Sequence, residues 1–150
     1  MIQPGNSSPD FKLKDQNKRI AQLAKLKGKK ILLSFRPLAW TPVCTDQMKS
    51  LDQHHDQLGN LNTIPFGIGV DSLYSNKAWA EAMAIKKLRL LADFWPHGAV
   101  AKLYGIFRAK QGTSQRANII IDEDGKVAFV KVYDISQLPD IIEIIDFLNK

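Results

Sequence analysis

At 150 residues, 45% of them hydrophobic, the chain has the length of one domain and can bury a sizeable core without covalent staples. Its single cysteine excludes an intramolecular disulfide and fits a reducing compartment, and no apolar run approaches the roughly 20 residues needed to span a bilayer. A net charge of +6 raises the question of nucleic acid or an anionic membrane, but the basic residues are dispersed. Neither of the denser groups, Lys25, Lys27, Lys29 and Lys30 or Lys86, Lys87 and Arg89, is interleaved with the aromatics that stack on bases, so a solvated surface is expected. Met1 to Gly5 has no apolar run after a basic start, and the chain reads as an unexported cytoplasmic protein.

The pattern opens with a short strand around Phe11 to Leu13, a polar turn at Asp15-Gln16-Asn17 and a return through Arg19-Ile20, which predicts an N-terminal hairpin. Ile31 to Phe35 is an apolar run suited to a buried strand that stops before Pro37. Thr41-Pro42 predicts a helix start, with Thr41 as N-cap and Pro42 at the first helical position. Cys44, Met48, Leu51, His55 and Leu58 step by four and three along its core face as far as Gly59-Asn60. The alternation of Ile64, Phe66, Ile68 and Val70 predicts a second strand, with Pro65 requiring its entry or an edge.

Strand, helix and strand in this order make a right-handed βαβ unit, which sets Cys44 at the carboxyl end of parallel strands, where sites gather in open α/β sheets. A further helix is expected near Lys77 to Ile85, on the spacing of Trp79, Ala82, Met83 and Lys86. Asn118 to Asp122 and Ala128 to Val132 flank an Asp-Gly hairpin turn, and Pro139 to Asn149 closes the chain as an amphipathic helix on Ile141, Ile144, Ile145 and Leu148. Leu88 to Lys110 gives no clear pattern. The sum is an α/β domain over residues 1–150, without repeat or linker.

Only a thiolate is a good nucleophile, and a free thiol, with a pKa of about 8.5, is mostly protonated at neutral pH. The first turn of a helix supplies unpaired N–H groups and partial positive charge near Cys44. Thr41, one turn earlier, has a hydroxyl that can donate to a thiolate or orient a substrate oxygen, and Pro37 restricts the loop before it. Burial as a small apolar residue is the alternative for Cys44.

The segment Pro37-Leu38-Ala39-Trp40-Thr41-Pro42-Val43-Cys44-Thr45 resembles the peroxiredoxin active-site pattern of proline, three residues, threonine or serine, two residues and cysteine. Ser8 to Leu13 is similar to the family's N-terminal strand, and Arg116 before Asn118 to Gly125 to its distal arginine strand. The resemblance implies a thioredoxin-like three-layer sandwich, with a central mixed sheet, helices on both faces and an N-terminal hairpin. It implies a thiol-dependent peroxidase in which Cys44 attacks a hydroperoxide, Arg116 is the cation beside it, Thr41, Arg116 and the N–H groups around Val43 and Cys44 orient the peroxide, and Pro37 closes the loop and shields it from water. Trp40 and Val43 would adjoin the substrate. No metal or organic cofactor is implied.

With no second cysteine, and Lys49 where some relatives carry a resolving one, the reductant must be an external thiol such as thioredoxin, glutaredoxin or a small thiol. A glutamate is frequent in the family at the position of Gln47, and Arg36 stands where an aromatic is common, so Arg36 is either a second cation at the site or a rim residue. Trp40, Phe94, Trp95 and Pro96 fit an entrance, a homodimer contact or core packing.

A dithiol mechanism is excluded by Gln47, which occupies the second cysteine position of Cys-x-x-Cys. A monothiol oxidoreductase acting on glutathione mixed disulfides and a non-catalytic binding or chaperone protein are the alternatives. Adjacent His54 and His55 diverge around a helix axis, His97 is isolated, and Asp122, Asp124 and Gly125 lack the twelfth-position glutamate of a calcium loop, where Tyr133 stands.

Overall fold

In strand β3 (Lys30–Phe35), Ile31, Leu33 and Phe35 feed one core cluster and Leu32 another, as a period of two requires of a strand buried on both faces. The computed structural model describes all residues, Met1–Lys150. β3 is the centre of a five-stranded mixed sheet. On one side it pairs in parallel with β4 (Thr63–Gly69), which pairs in parallel with β5 (Arg89–Ala92). On the other side it pairs antiparallel with β8 (Arg116–Ile121), which pairs antiparallel with β9 (Val127–Tyr133).

Helices α1 (Pro42–Gln53) and α2 (His55–Asn60) join β3 to β4, and α3 (Leu73–Ala82) joins β4 to β5. The sheet order advances in one direction through both connections, so right-handed crossovers lay all three helices on the same face, where the closing helix α5 (Ile141–Leu148) joins them. The opposite face is covered by the hairpin of β1 (Lys12–Lys14) and β2 (Ile20–Gln22) and by α4 (Ala99–Leu103). Two-residue strands β6 (Phe107–Arg108) and β7 (Thr113–Ser114) form a separate ribbon. The thioredoxin-like sandwich with its hairpin is therefore the observed architecture.

Several expectations are corrected. The helix carrying Cys44 is broken at His54, whose Nδ1 lies 2.8 Å from the Ser50 carbonyl, and His55 is half-buried rather than part of the core face. The next helix spans Leu73–Ala82 rather than Lys77 to Ile85, because Ser72 caps it by accepting from the Ser75 N–H, and Ala82 is exposed. Pro65 lies within β4, but β5 pairs with β4 only from Phe66 onward, so the strand edge is locally open there. The region from Leu88 to Lys110 holds β5, a turn with a cis Trp95-Pro96 bond, α4 and β6.

Candidate active site

Thr41 occupies the N-cap of α1 in an extended conformation, and the first helical bond runs from Thr45 N–H to its carbonyl. Its side chain does not cap the helix. The hydroxyl donates instead to the Leu38 carbonyl at 2.8 Å, which fixes the loop and leaves the oxygen's lone pairs free to accept. Pro37 is buried beneath this loop, and Cys44 in the first turn of α1 is fully buried.

Arg116, at the first position of β8, is buried and not a surface residue. Its Nη1 donates to Cys44 Sγ at 3.2 Å and to Gln47 Oε1 at 2.7 Å, while Nε and Nη2 donate to the Ile135 carbonyl at 3.1 and 2.8 Å. Four contacts hold the planar group in one orientation, a geometry available to a guanidinium and not to an ammonium. Gln47 is in turn fixed through Nε2, which donates to Ser34 Oγ at 2.7 Å and to the Phe35 carbonyl at 3.2 Å. Ser34 Oγ donates to Asn118 Oδ1 at 2.7 Å. An uncharged relay from Asn118 through Ser34 and Gln47 thus anchors the arginine, and no glutamate is needed.

Arg36 is not a rim residue but a second cation near the site, and it is paired. It is wholly buried, with Nη1 on Asp71 Oδ2 at 2.7 Å, Nη2 on Asn76 Oδ1 at 2.8 Å and its guanidinium stacked 4.6 Å from the Trp79 ring centre. Burial pulls its pKa below the usual guanidinium value, opposed by the Asp71 carboxylate and by Cys44. Asp71 Oδ2 also accepts from Ala39 N–H at 2.8 Å, so the ion pair ties down the loop between Pro37 and Thr41. A methyl group at Gly69 would overlap this guanidinium, and one at Gly67 the Met48 sulfur below Cys44, which accounts for both glycines in a central strand.

A half-open cavity of about 420 Å³ lies over the site. Pro37, Thr41, Val43 and Arg116 line it together with Arg108 and Ile135. Arg116 both borders the cavity and touches the sulfur, which connects the two. Trp40 does not line it. Its backbone is left-handed at φ 72°, and its half-exposed indole donates Nε1–H to Ser75 Oγ at 3.2 Å on the far side of the loop. Phe94 and Trp95 are also exposed, at 50% and 81%, which removes the core-packing reading for the three aromatics.

Asp71, Ser34, Asn118 and Arg108 were not foreseen at the site. His97 Nε2 lies 2.6 Å from the Gly112 carbonyl, and Asp122 Oδ1 accepts from the N–H groups of Asp124 and Lys126, so these residues serve their own turns.

The family model described as AhpC/TSA matches residues 4–130. The chain belongs to the AhpC/TSA family, the peroxiredoxins. "Alkyl hydroperoxide reductase E" of Mycobacterium tuberculosis is 33% identical over 141 residues, covering 93% of this peroxiredoxin and 92% of that protein. "2-Cys peroxiredoxin BAS1, chloroplastic" of Hordeum vulgare is 30% identical over 133 residues, 82% of this chain and 62% of that one. The reduced 2-Cys peroxiredoxin of Plasmodium vivax superposes with a TM-score of 0.90 at 27% identity, covering 99% of this chain and 81% of that chain.

Proposed function

We propose that this peroxiredoxin is a hydroperoxide reductase working by a one-cysteine mechanism, with Cys44 as the peroxidatic residue. The observation that carries it is the guanidinium of Arg116, 3.2 Å from a buried sulfur and bordering an open cavity. In the first step the Cys44 thiolate attacks the terminal oxygen of the hydroperoxide. An S–O bond forms, the O–O bond breaks, and the leaving oxygen departs as water or an alcohol after taking a proton; sulfur is oxidised to a sulfenic acid. The Thr41 oxygen, free to accept, orients the peroxide by accepting from its O–H, and Arg116 and the N–H groups of Val43 and Cys44 bear the charge moving onto the leaving oxygen.

An external thiol then attacks the sulfenic sulfur, releasing water and leaving a mixed disulfide, which a second thiol cleaves to restore Cys44. A fully buried sulfur offers no approach to a bulky thiol, so reduction requires the first turn of α1 to open. Thioredoxin, glutaredoxin or a small thiol in the cytoplasm would serve. Exposed Trp40, Phe94 and Trp95, on loops flanking α1 and α4, are the surface through which two copies would pair, to be tested by light scattering at micromolar concentration.

The decisive experiment is stopped-flow mixing of the reduced protein with hydrogen peroxide and with an organic hydroperoxide, with sulfenic acid trapped for mass spectrometry. Fast oxidation confined to Cys44 and abolished in Cys44→Ser is expected. Oxidation at the rate of free cysteine, or fast turnover of glutathionylated peptides alone, would overturn the peroxidase assignment.

A further inference from the structure

We propose that Arg108 is a carboxylate-recognition residue that selects the ligand entering the Cys44 cavity; the inference rests on the peroxidase reading above. The cavity is an order of magnitude larger than the share of space taken by a water-sized molecule, about 30 Å³. Its volume lies in the range of small-molecule sites and exceeds what hydrogen peroxide fills. Leu38, Pro42, Val43 and Ile135 give it apolar walls. Two of the lining residues are cations, Arg108 and Arg116, and none is an anion.

The two arginines differ in what remains for a ligand. Arg116 is engaged by Gln47, the Ile135 carbonyl and Cys44. Arg108 forms no ion pair, and its one polar side-chain contact is Nη1 to Thr113 Oγ1 at 3.4 Å, beyond the usual range of such a bond. Its half-buried guanidinium therefore faces an apolar cavity with nearly all of five N–H donors unused. A planar fork of donors beside apolar walls suits a carboxylate on a short hydrocarbon, held bidentately while the chain lies along the walls. β6 carries Arg108 and pairs with β7, which leads directly into Arg116, so recognition and reacting groups sit on one continuous segment.

A carboxylate could arrive on the hydroperoxide or on the reducing thiol, and the test separates them. In the oxidation arm, ω-hydroperoxyoctanoic acid and its methyl ester are compared on the reduced protein. In the reduction arm, mercaptopropionate and mercaptoethanol are compared on the sulfenic form. The acid is expected to react about tenfold faster than its neutral partner, corrected for intrinsic reactivity, in the arm where Arg108 acts. That ratio should fall to within about twofold in Arg108→Gln and survive in part in Arg108→Lys. An unfolded variant would also bring the ratio toward one, so Arg108→Gln is compared only with its folded circular-dichroism spectrum retained.

Octanoate binding, followed by NMR titration, should weaken about tenfold in Arg108→Gln irrespective of any chemistry at sulfur. Ratios and octanoate affinity unchanged in Arg108→Gln would overturn the assignment. Octanoate binding that depends on Arg108 in a protein oxidised no faster than free cysteine would uphold the carboxylate site while the peroxidase reading fails.

Discussion

Replacing Arg116 by methionine removes the cation at Cys44 while keeping an unbranched apolar stem as far as the position of Nε. A full charge pair at the observed 3.2 Å would interact by about 5 kcal/mol at an effective dielectric constant of 20. The guanidinium charge is spread over three nitrogens, which lowers this figure, and measured hydrogen bonds to charged groups fall at about 1.5–3 kcal/mol. Taking about 3 kcal/mol, realised first on sulfur and then on the departing oxygen, the second-order rate constant with hydrogen peroxide should fall roughly 100-fold. The assay is stopped-flow tryptophan fluorescence. Trp79 is a suited reporter, since it is buried and its Nε1–H donates at 3.3 Å to Thr45, the neighbour of Cys44. Arg116→Lys retains the charge but cannot hold both Gln47 and the Ile135 carbonyl, so it should recover about a tenth of the rate. A methionine variant that remains folded and reacts within about threefold of the unsubstituted protein would refute a role for this cation.

Three further outcomes follow from other contacts. Gln47→Leu should destabilise the fold by about 1–3 kcal/mol in urea titrations, because buried Arg116 Nη1 and the Phe35 carbonyl would each lose a partner. An unchanged midpoint would contradict the uncharged relay. Ala84→Gly should stabilise by about 1 kcal/mol, since Ala84 adopts φ 56° at the end of α3, in a motif closed by Ala84 N–H to Glu81 and Ile85 N–H to Ala80, where glycine is the unstrained residue. A lower urea midpoint would count against it.

Asp15 titrates below the ordinary aspartate value. Burial opposes its ionisation, but Arg89 and the N–H groups of Arg19 and Asn17 outweigh burial. A depressed pKa contributes stability above the unfolded value of about 3.9, lost as pH falls through the folded value. Asp15→Asn should therefore lower stability at pH 7 and flatten its decline below about pH 4, as followed by circular dichroism. An acid transition as steep as that of the unsubstituted protein would show that another carboxylate controls it.

What the sequence made legible is what depends on neighbours in the chain. The proline at the first turn of α1, the apolar run of β3, the alternation in β4 and the Asp-Gly turn between β8 and β9 are local signals, and each element formed where its signal stood. Cys44 and Arg116 were legible as a pair only through the resemblance, because 72 residues separate them. The partners that hold Arg116 were not legible. The Ile135 carbonyl is a backbone group in a loop, and Ser34 reads in sequence as an interruption of an apolar strand. β6 and β7, with two residues each, are too short to carry a period, so no sequence signal marks Arg108. The start of α3 is set by Ser72, an N-cap that lies outside the spacing of Trp79, Ala82 and Met83.

The two buried arginines explain why the residue after which the relay is built is an amide. Arg36 meets a carboxylate, Asp71, at 2.7 Å, so its charge is cancelled in place and it acts as a brace for the loop before α1. Arg116 meets only neutral acceptors apart from the sulfur, namely Gln47 Oε1 and the Ile135 carbonyl. Burying an uncompensated cation costs several kcal/mol, and that cost is relieved when the sulfur beside it carries negative charge. A glutamate at position 47 would relieve the same cost permanently and leave less of the field for sulfur. Gln47 thus keeps the guanidinium oriented without neutralising it, and leaves its charge directed at Cys44 Sγ.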